Sequence, residues 1–297
     1  MNFKKIIFSV LGLLILLAAG TYIYDRIVEY QEEKKHKAWV AGLSSTASEN
    51  VHILTDTMMI DYLGEKRSLG IYLPKGYKNN DSTQYPVVYF LDGQSLFDMK
   101  IKEGLEWQID EILDSLGTLG QEQAIVVGVY NSDDRLTEYK PWTSPHLPKE
   151  KVVSGDKHAE WVATDLKKWV DDNFRTLKGP EHTVIGGASL AGLMSYYMTM
   201  TYPEVYGRAI VYSPSFWVND KVYELHKGVD LNNKRIYFDA GELETPTVES
   251  IEKMEGILLA AGMPRENMRL DVEKGEGHWH ATWIKGSRKV FPWIIGE

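Results

Sequence analysis

The string Gly187-Ala188-Ser189-Leu190-Ala191-Gly192 lies between a short β-branched run, His182 to Gly186, and a helix-forming run, Leu193 to Met200. A strand that turns directly into a helix pushes its turn residue out of the sheet, in a strained backbone conformation where a neighbouring base can reach the side chain. With serine at the turn, the exposed group is a hydroxyl. The flanking residues must be small, because strand end and helix start nearly touch, and Gly187, Ala188, Ala191 and Gly192 meet that demand. The N–H of Leu190, at the helix N-terminus, points where an oxyanion would form. Taken alone, the string also fits a turn of any α/β protein with Ser189 as a helix N-cap. The rest of the chain decides between the two.

From residue 85 onward strand-like and helix-like runs alternate. Strands are expected at 85–91, 123–130, 182–187, 207–213, 235–240 and 268–274, and helices at 105–116, 157–174, 190–201, 247–261 and 280–291. The strands are apolar throughout rather than alternating, which implies a parallel sheet covered on both faces. Three earlier runs, 51–56, 58–62 and 68–73, read as an antiparallel entry to that sheet. Leu105, Ile109, Ile112, Leu113 and Leu116 share one helical face, as do Trp161, Val162, Leu166, Trp169, Val170 and Phe174. Ligands of such sheets sit at the C-terminal ends of strands.

The N-terminus is of another kind. Lys4 and Lys5 precede a run without charge, residues 6–24, IIFSVLGLLILLAAGTYIY. It is long enough to span a bilayer as a helix and longer than a usual signal-peptide core. It reads as an uncleaved signal anchor in preference to a cleaved signal peptide, with the two lysines cytoplasmic and the following domain across the membrane. The expected organisation is therefore an anchor at 1–24, a charged, partly helical linker or stalk at 25–48, and one α/β domain at 49–297. The periplasmic or cell-surface side is the expected location. The net charge of −9 argues against a nucleic-acid partner, and the absence of cysteine excludes disulfides, thiol nucleophiles, thiolate metal sites and a lipoprotein anchor.

An alcohol nucleophile needs a base, and the base needs an orienting carboxylate. After the strand at 235–240 come Gly241-Glu242-Leu243-Glu244, and after the strand at 268–274 come Gly275-Glu276-Gly277-His278-Trp279-His280. Serine, acid and histidine thus follow in the chain order of α/β-hydrolases, each on a loop after a strand. His278 is the expected base and His280 a surface residue of the next helix. Glu244 is the expected acid, with Glu242 second and Asp239 holding loop backbone. A metal site of His278, His280 and Glu276 is the weighed alternative, and the triad requires neither metal nor cofactor. The second oxyanion donor is expected on the loop after strand 85–91, where Gly93 lets the N–H of Gln94 face the site, although Asp92-Gly93 equally fits an ordinary turn.

Several strings together resemble the putative esterase family, whose members include esterase D, enterochelin esterase and feruloyl esterase relatives. They are Leu91-Asp92-Gly93-Gln94-Ser95-Leu96-Phe97-Asp98, Arg135-x-x-Glu138-Tyr139-x-Pro141-Trp142, Phe174-Arg175-Thr176, Ser213-Pro214-Ser215-Phe216-Trp217, Gly241-x-x-Glu244, and His278 with Trp283 five residues on. The resemblance spans about residues 58–293. It implies an α/β-hydrolase fold, a mostly parallel central sheet flanked by helices. It also implies Ser189 as nucleophile, Glu244 as acid, His278 as base, and the N–H groups of Gln94 and Leu190 as oxyanion hole. Trp279 and His280 stand where the family usually has Asn and Glu, and Ala191 replaces a glycine.

The activity so implied is hydrolysis of a small-molecule carboxylic ester. Tyr139, Trp142, Trp217, Trp279 and Trp283 are candidates for an aromatic substrate pocket. Siderophore lactones, sugar-linked esters and short-acyl esters are the candidate substrates. Acyl transfer, or a non-catalytic binding module on a hydrolase scaffold, are the alternatives.

Overall fold

The computed structural model describes residues 3–79, 82–146 and 152–296, with side chains of residue 14 and of 16 onward. It divides into two units, Met1–Ser45 and Thr46–Glu297. The first is one helix, α1 (Phe3–Ala41), continuous across the expected anchor–stalk boundary at residue 24. Its described side chains from 16 to 39 are exposed, and Glu29, Glu32 and Glu33 pair with Arg26, Lys35 and Lys37 one turn away. The side chains at 6–13 and 15, half of the expected membrane-crossing stretch, lie outside the described residues. Among the described residues no helix is long and apolar enough to cross a membrane.

The second unit is built on one eight-stranded sheet. Its elements are β1 (Val51–Ile60), β2 (Glu65–Tyr72), β3 (Val87–Leu91), α2 (Ile109–Thr118), β4 (Ile125–Val129), α3 (Arg135–Glu138), α4 (Gly155–Trp161), α5 (Lys167–Asn173), β5 (Thr183–Ala188), α6 (Leu190–Thr201), β6 (Arg208–Tyr212), β7 (Arg235–Gly241), α7 (Thr245–Ala260), β8 (Met268–Glu273) and α8 (His280–Ile294). The strand order is β1-β2-β4-β3-β5-β6-β7-β8. β1 and β2 pair antiparallel, β2 pairs antiparallel with β4, and every pairing from β4 to β8 is parallel.

Burial on both faces explains why β3 to β7 carry no polar alternation, whereas the edge strand β8, partly exposed, alternates as Met268-Arg269-Leu270-Asp271-Val272-Glu273. Tyr89, Ile185, Val211 and Phe238 pack with Trp161, Leu166, Met194 and Met254, so α4 to α7 cover one face. Val88, Phe90, Val184, Ile210 and Tyr237 pack with Ile112, Leu113, Val290 and Phe291, so α2 and α8 cover the other. Each large side chain removed from water in this way contributes about 1.5–3 kcal/mol.

Three local differences from expectation have plain causes. The runs at 51–56 and 58–62 form one strand, β1, whose register shifts between Leu54 and Met58, where Asp56 takes a φ of 47°. The helix expected from 105 starts at Ile109, because Gln108 ahead of it is left-handed and Leu105 lies exposed. Between α4 and α5 the helix widens into a π turn at Val162–Leu166.

One buried ion pair ties the sheet to the loop after β4. Arg67 Nη2 on β2 bonds Glu138 Oε1 at 2.5 Å, and both side chains are buried. Glu138 also accepts the Ser132 N–H at 3.0 Å. Removing one partner leaves the other charge uncompensated in a low dielectric. Arg67→Met is expected to cost about 3–5 kcal/mol in chemical denaturation, and adding Glu138→Leu should recover part of it.

Candidate active site

Loops after β3, β5, β6, β7 and β8 converge at one rim of the sheet. At the end of β5, Ser189 adopts φ 62°, ψ −121°, a conformation that costs a non-glycine residue on the order of 1–3 kcal/mol. The neighbouring strand holds it there. The Ser189 N–H donates to Tyr212 O at 2.9 Å, and the Ser215 N–H donates to Ser189 O at 3.1 Å. Gly187 is required by close approach, since a Cβ there would stand 2.6 Å from the Ala191 Cβ. The glycine-to-alanine departure at 191 is thus accommodated by the glycine kept at 187. Ser189 is half-buried, and its Oγ lies 3.3 Å from Ser215 Oγ. Leu190 opens α6, so its N–H has no acceptor within the helix.

His278 and Glu244 meet directly. His278 Nδ1 is 2.5 Å from Glu244 Oε2, with the carboxylate buried and the imidazole half-exposed. Glu244 Oε1 accepts the Gly241 N–H at 2.9 Å and the Ser213 hydroxyl at 2.7 Å. Burial pushes the Glu244 pKa up, but the bonds from His278, Gly241 and Ser213 outweigh it and hold the carboxyl below its ordinary value. Trp283 packs edge-on against the His278 ring at 5.5 Å and donates from Nε1 to Ser213 Oγ at 3.1 Å. Ser189 and His278 line the same cleft, a cavity of about 280 Å³.

The competing acids stand elsewhere. Glu242 is exposed and accepts the Gly275 N–H at 2.9 Å. Asp239 is fully buried, and burial together with the neighbouring Glu273 pushes its pKa well above the ordinary carboxylate value. Its backbone carbonyl, not its carboxyl, bonds the loop, accepting the Ser213 N–H at 2.6 Å. Glu276 accepts from Trp279 Nε1 and pairs with Lys285.

The loop after β3 is held from beneath. Asp92 is left-handed at φ 61° and receives Arg135 Nε and Nη2 at 2.7 and 2.6 Å. Its N–H donates to the Tyr139 hydroxyl at 3.1 Å. A Cβ on Gly93 would come within 2.2 Å of the Gly128 backbone, so the turn presses directly on β4. Gln94 lines the cleft, and its amide exchanges hydrogen bonds with Asn131.

Of the aromatic residues expected at a substrate pocket, Trp283 lines this cleft, and Tyr139, Trp142, Trp217 and Trp279 do not. Tyr139 is fully buried because its hydroxyl serves the Asp92 turn. Trp142 packs edge-on against Tyr197 at 5.4 Å. Trp217 and Trp279 are half-exposed, the latter tied to Glu276. The aromatic walls are Trp107 and Trp283. His280, expected on the surface, is half-buried in the cleft wall with its ring 6.2 Å from Trp107 and 5.3 Å from Trp283. Burial, then the Lys102 charge, hold its pKa below the ordinary histidine value. Lys102, Asn131 and Arg135 also line the cleft. Sequence spacing gave no sign of Lys102 or Asn131, while Arg135 was visible as the first residue of a shared motif.

The family model described as putative esterase matches residues 60–293. The chain belongs to that family and is a carboxylesterase-type hydrolase. It is 25% identical over 243 residues to the protein YbbA of Bacillus subtilis (strain 168), covering 78% of this chain and 93% of that one. Its fold is similar to that of a ferulic acid esterase (TM-score 0.62, 18% identity, 83% of this chain and 98% of the other). It is equally similar to the siderophore hydrolase EstB from Aspergillus nidulans (TM-score 0.64, 16% identity, 85% and 97%).

Tyr139→Phe removes the acceptor of a buried N–H while leaving the ring in place. It is expected to lower stability by about 1–3 kcal/mol in urea titration. Trp217→Phe, at an exposed site, should leave stability within about 0.5 kcal/mol.

Proposed function

We propose that this esterase works through Ser189, His278 and Glu244 by way of an acyl-enzyme. The observation that carries the reading is the His278–Glu244 hydrogen bond at the rim of the cleft that Ser189 also lines. Glu244 accepts at Nδ1, which leaves Nε2 of the neutral imidazole as the free base. Ser189 Oγ attacks the ester carbonyl and gives its proton to Nε2. The Glu244 carboxylate, kept ionised by its three donors, stabilises the imidazolium. The N–H groups of Leu190 and Gln94 receive the oxyanion, each worth about 3–4 kcal/mol of barrier. His278 then protonates the departing alcohol. Water, deprotonated by His278, attacks the acyl-enzyme and releases the acid and Ser189.

A compact cleft walled by Trp107 and Trp283 and lined also by Lys102, Asn131 and Arg135 favours a small acid portion, with the alcohol portion extending into solvent. Lys102 gives the rim a positive charge that the net charge of −9 conceals. That supports an ester bearing negative charge, of the siderophore kind, over a neutral short-acyl ester. Sugar-linked esters are the second reading, supported by the family's feruloyl esterase members. Transfer of the acyl group to an alcohol in place of water uses the same residues, and added acceptor in the assay separates it by product.

Ser189→Ala should reduce turnover of p-nitrophenyl acetate at least about a thousand-fold with an unchanged circular dichroism spectrum. Undiminished turnover by the purified variant would reject Ser189 as nucleophile, and absence of turnover in the wild type would favour a binding module.

The location is proposed from the sequence. The uncharged run at 6–24 supports a domain held on the outer side of the cytoplasmic membrane. The full chain should sediment with membranes after an alkaline wash, and deletion of residues 1–24 should release it. Recovery of the intact chain in the soluble fraction would contradict this.

A further inference from the structure

Residues 46–50 pass over the start of α2, and three carboxylates meet there. One oxygen each from Glu106, Asp110 and Glu111 lies within 4.8 Å of the others. Acidic clusters on surfaces are ordinary, but this one reaches inside. Asp110 is fully buried; its Oδ2 accepts the Ser48 N–H at 2.7 Å, and its Oδ1 has no hydrogen-bond partner among the described residues. Glu106 Oε2 accepts the Thr46 hydroxyl at 2.9 Å, while its Oε1 is buried and equally without a partner. Ser48 Oγ is another buried oxygen in the same condition. Buried oxygens left in this state require an ion, a water or a proton to satisfy them.

The charges around the cluster deepen the deficit. The neighbours acting on Glu106 are Glu111 and Asp98, and Glu111 acts on Asp110. The first turn of α2 favours acidic side chains through its dipole. That accounts for the residue types, but Asp110 Oδ1 and Glu106 Oε1 remain without a partner among the described residues.

We propose that Glu106, Asp110 and Glu111 bind a calcium ion. Every available donor is a hard oxygen, with no nitrogen or sulfur among them, which is the donor chemistry of calcium and magnesium. Two flexible glutamates around one fixed aspartate suit the loose coordination of calcium, with water completing its shell, better than the strict octahedron of magnesium. The ion would clamp two layers. Thr46 and Ser48 are bonded to two of its ligands, and Glu106 directly precedes Trp107, a wall of the Ser189 cleft. The competing explanation is a proton shared between Asp110 and Glu111. The proposal stands apart from the assignment of Ser189, and its test does not read esterase activity.

The full chain, stripped with chelator, is titrated with calcium chloride in a calorimeter and melted with and without the ion. One calcium should bind per chain, and at about a hundred-fold excess over the dissociation constant Tm should rise by about 5 °C or more. Glu111→Gln, at an exposed position, should keep the fold and weaken binding at least ten-fold, and Asp110→Asn should abolish both the heat and the Tm response. Absence of heat and of a Tm shift at millimolar calcium would overturn the site in favour of the shared proton. A response to magnesium without one to calcium would overturn the choice of ion.

Discussion

One carboxylate organises the rim of this sheet. Glu244 receives the His278 imidazole from the loop after β8, the Gly241 N–H from the end of β7, and the Ser213 hydroxyl from the loop after β6. Ser213 is itself left-handed at φ 40°, fixed by its N–H on Asp239 O and by the Trp283 indole on its hydroxyl. Two residues on, the Ser215 N–H holds the carbonyl of Ser189. An ionised carboxylate out of water costs several kcal/mol unless charge-assisted hydrogen bonds replace the lost hydration. Three donors from three strand-end loops do so here. The requirement to satisfy that charge is what sets those loops in one relative geometry.

A second buried network holds the opposite wall. Arg67 with Glu138, Arg135 with Asp92, and the Tyr139 hydroxyl with the Asp92 N–H link β2, α3 and the turn after β3. The Arg135-x-x-Glu138-Tyr139 string is thus a brace for the Gly93-Gln94 turn. Its residues share a motif because they share one load, although only Arg135 faces the cleft.

The parallel core was legible because burial on both faces leaves strands without polar residues, and β5, α6 and β7 fall within a residue or so of where the apolar runs place them. Ser189 was legible because only small residues permit its turn. The meeting of His278 with Glu244 was legible from chain order and from glycines that let loops bend. Side-chain direction was not. Nothing in the spacing of Tyr139, Trp142, Trp217 and Trp279 shows that their polar tips or rings are spent on Asp92, on Tyr197, on solvent and on Glu276. Nor does spacing show that His280 turns inward beside Trp107. The walls of the cleft come from elements far apart in sequence, and their meeting is a property of packing.

The central claim is that the hydroxyl at the strained turn is made nucleophilic by the imidazole that Glu244 orients. A fluorophosphonate reacts only with a serine so activated, so the direct measurement is mass spectrometry of the labelled, digested protein. The account predicts a single phosphonyl adduct on the peptide containing Ser189, formed rapidly in the wild type and at least about a hundred-fold more slowly in His278→Ala. Labelling at another residue, or equal rates in the two proteins, would contradict it.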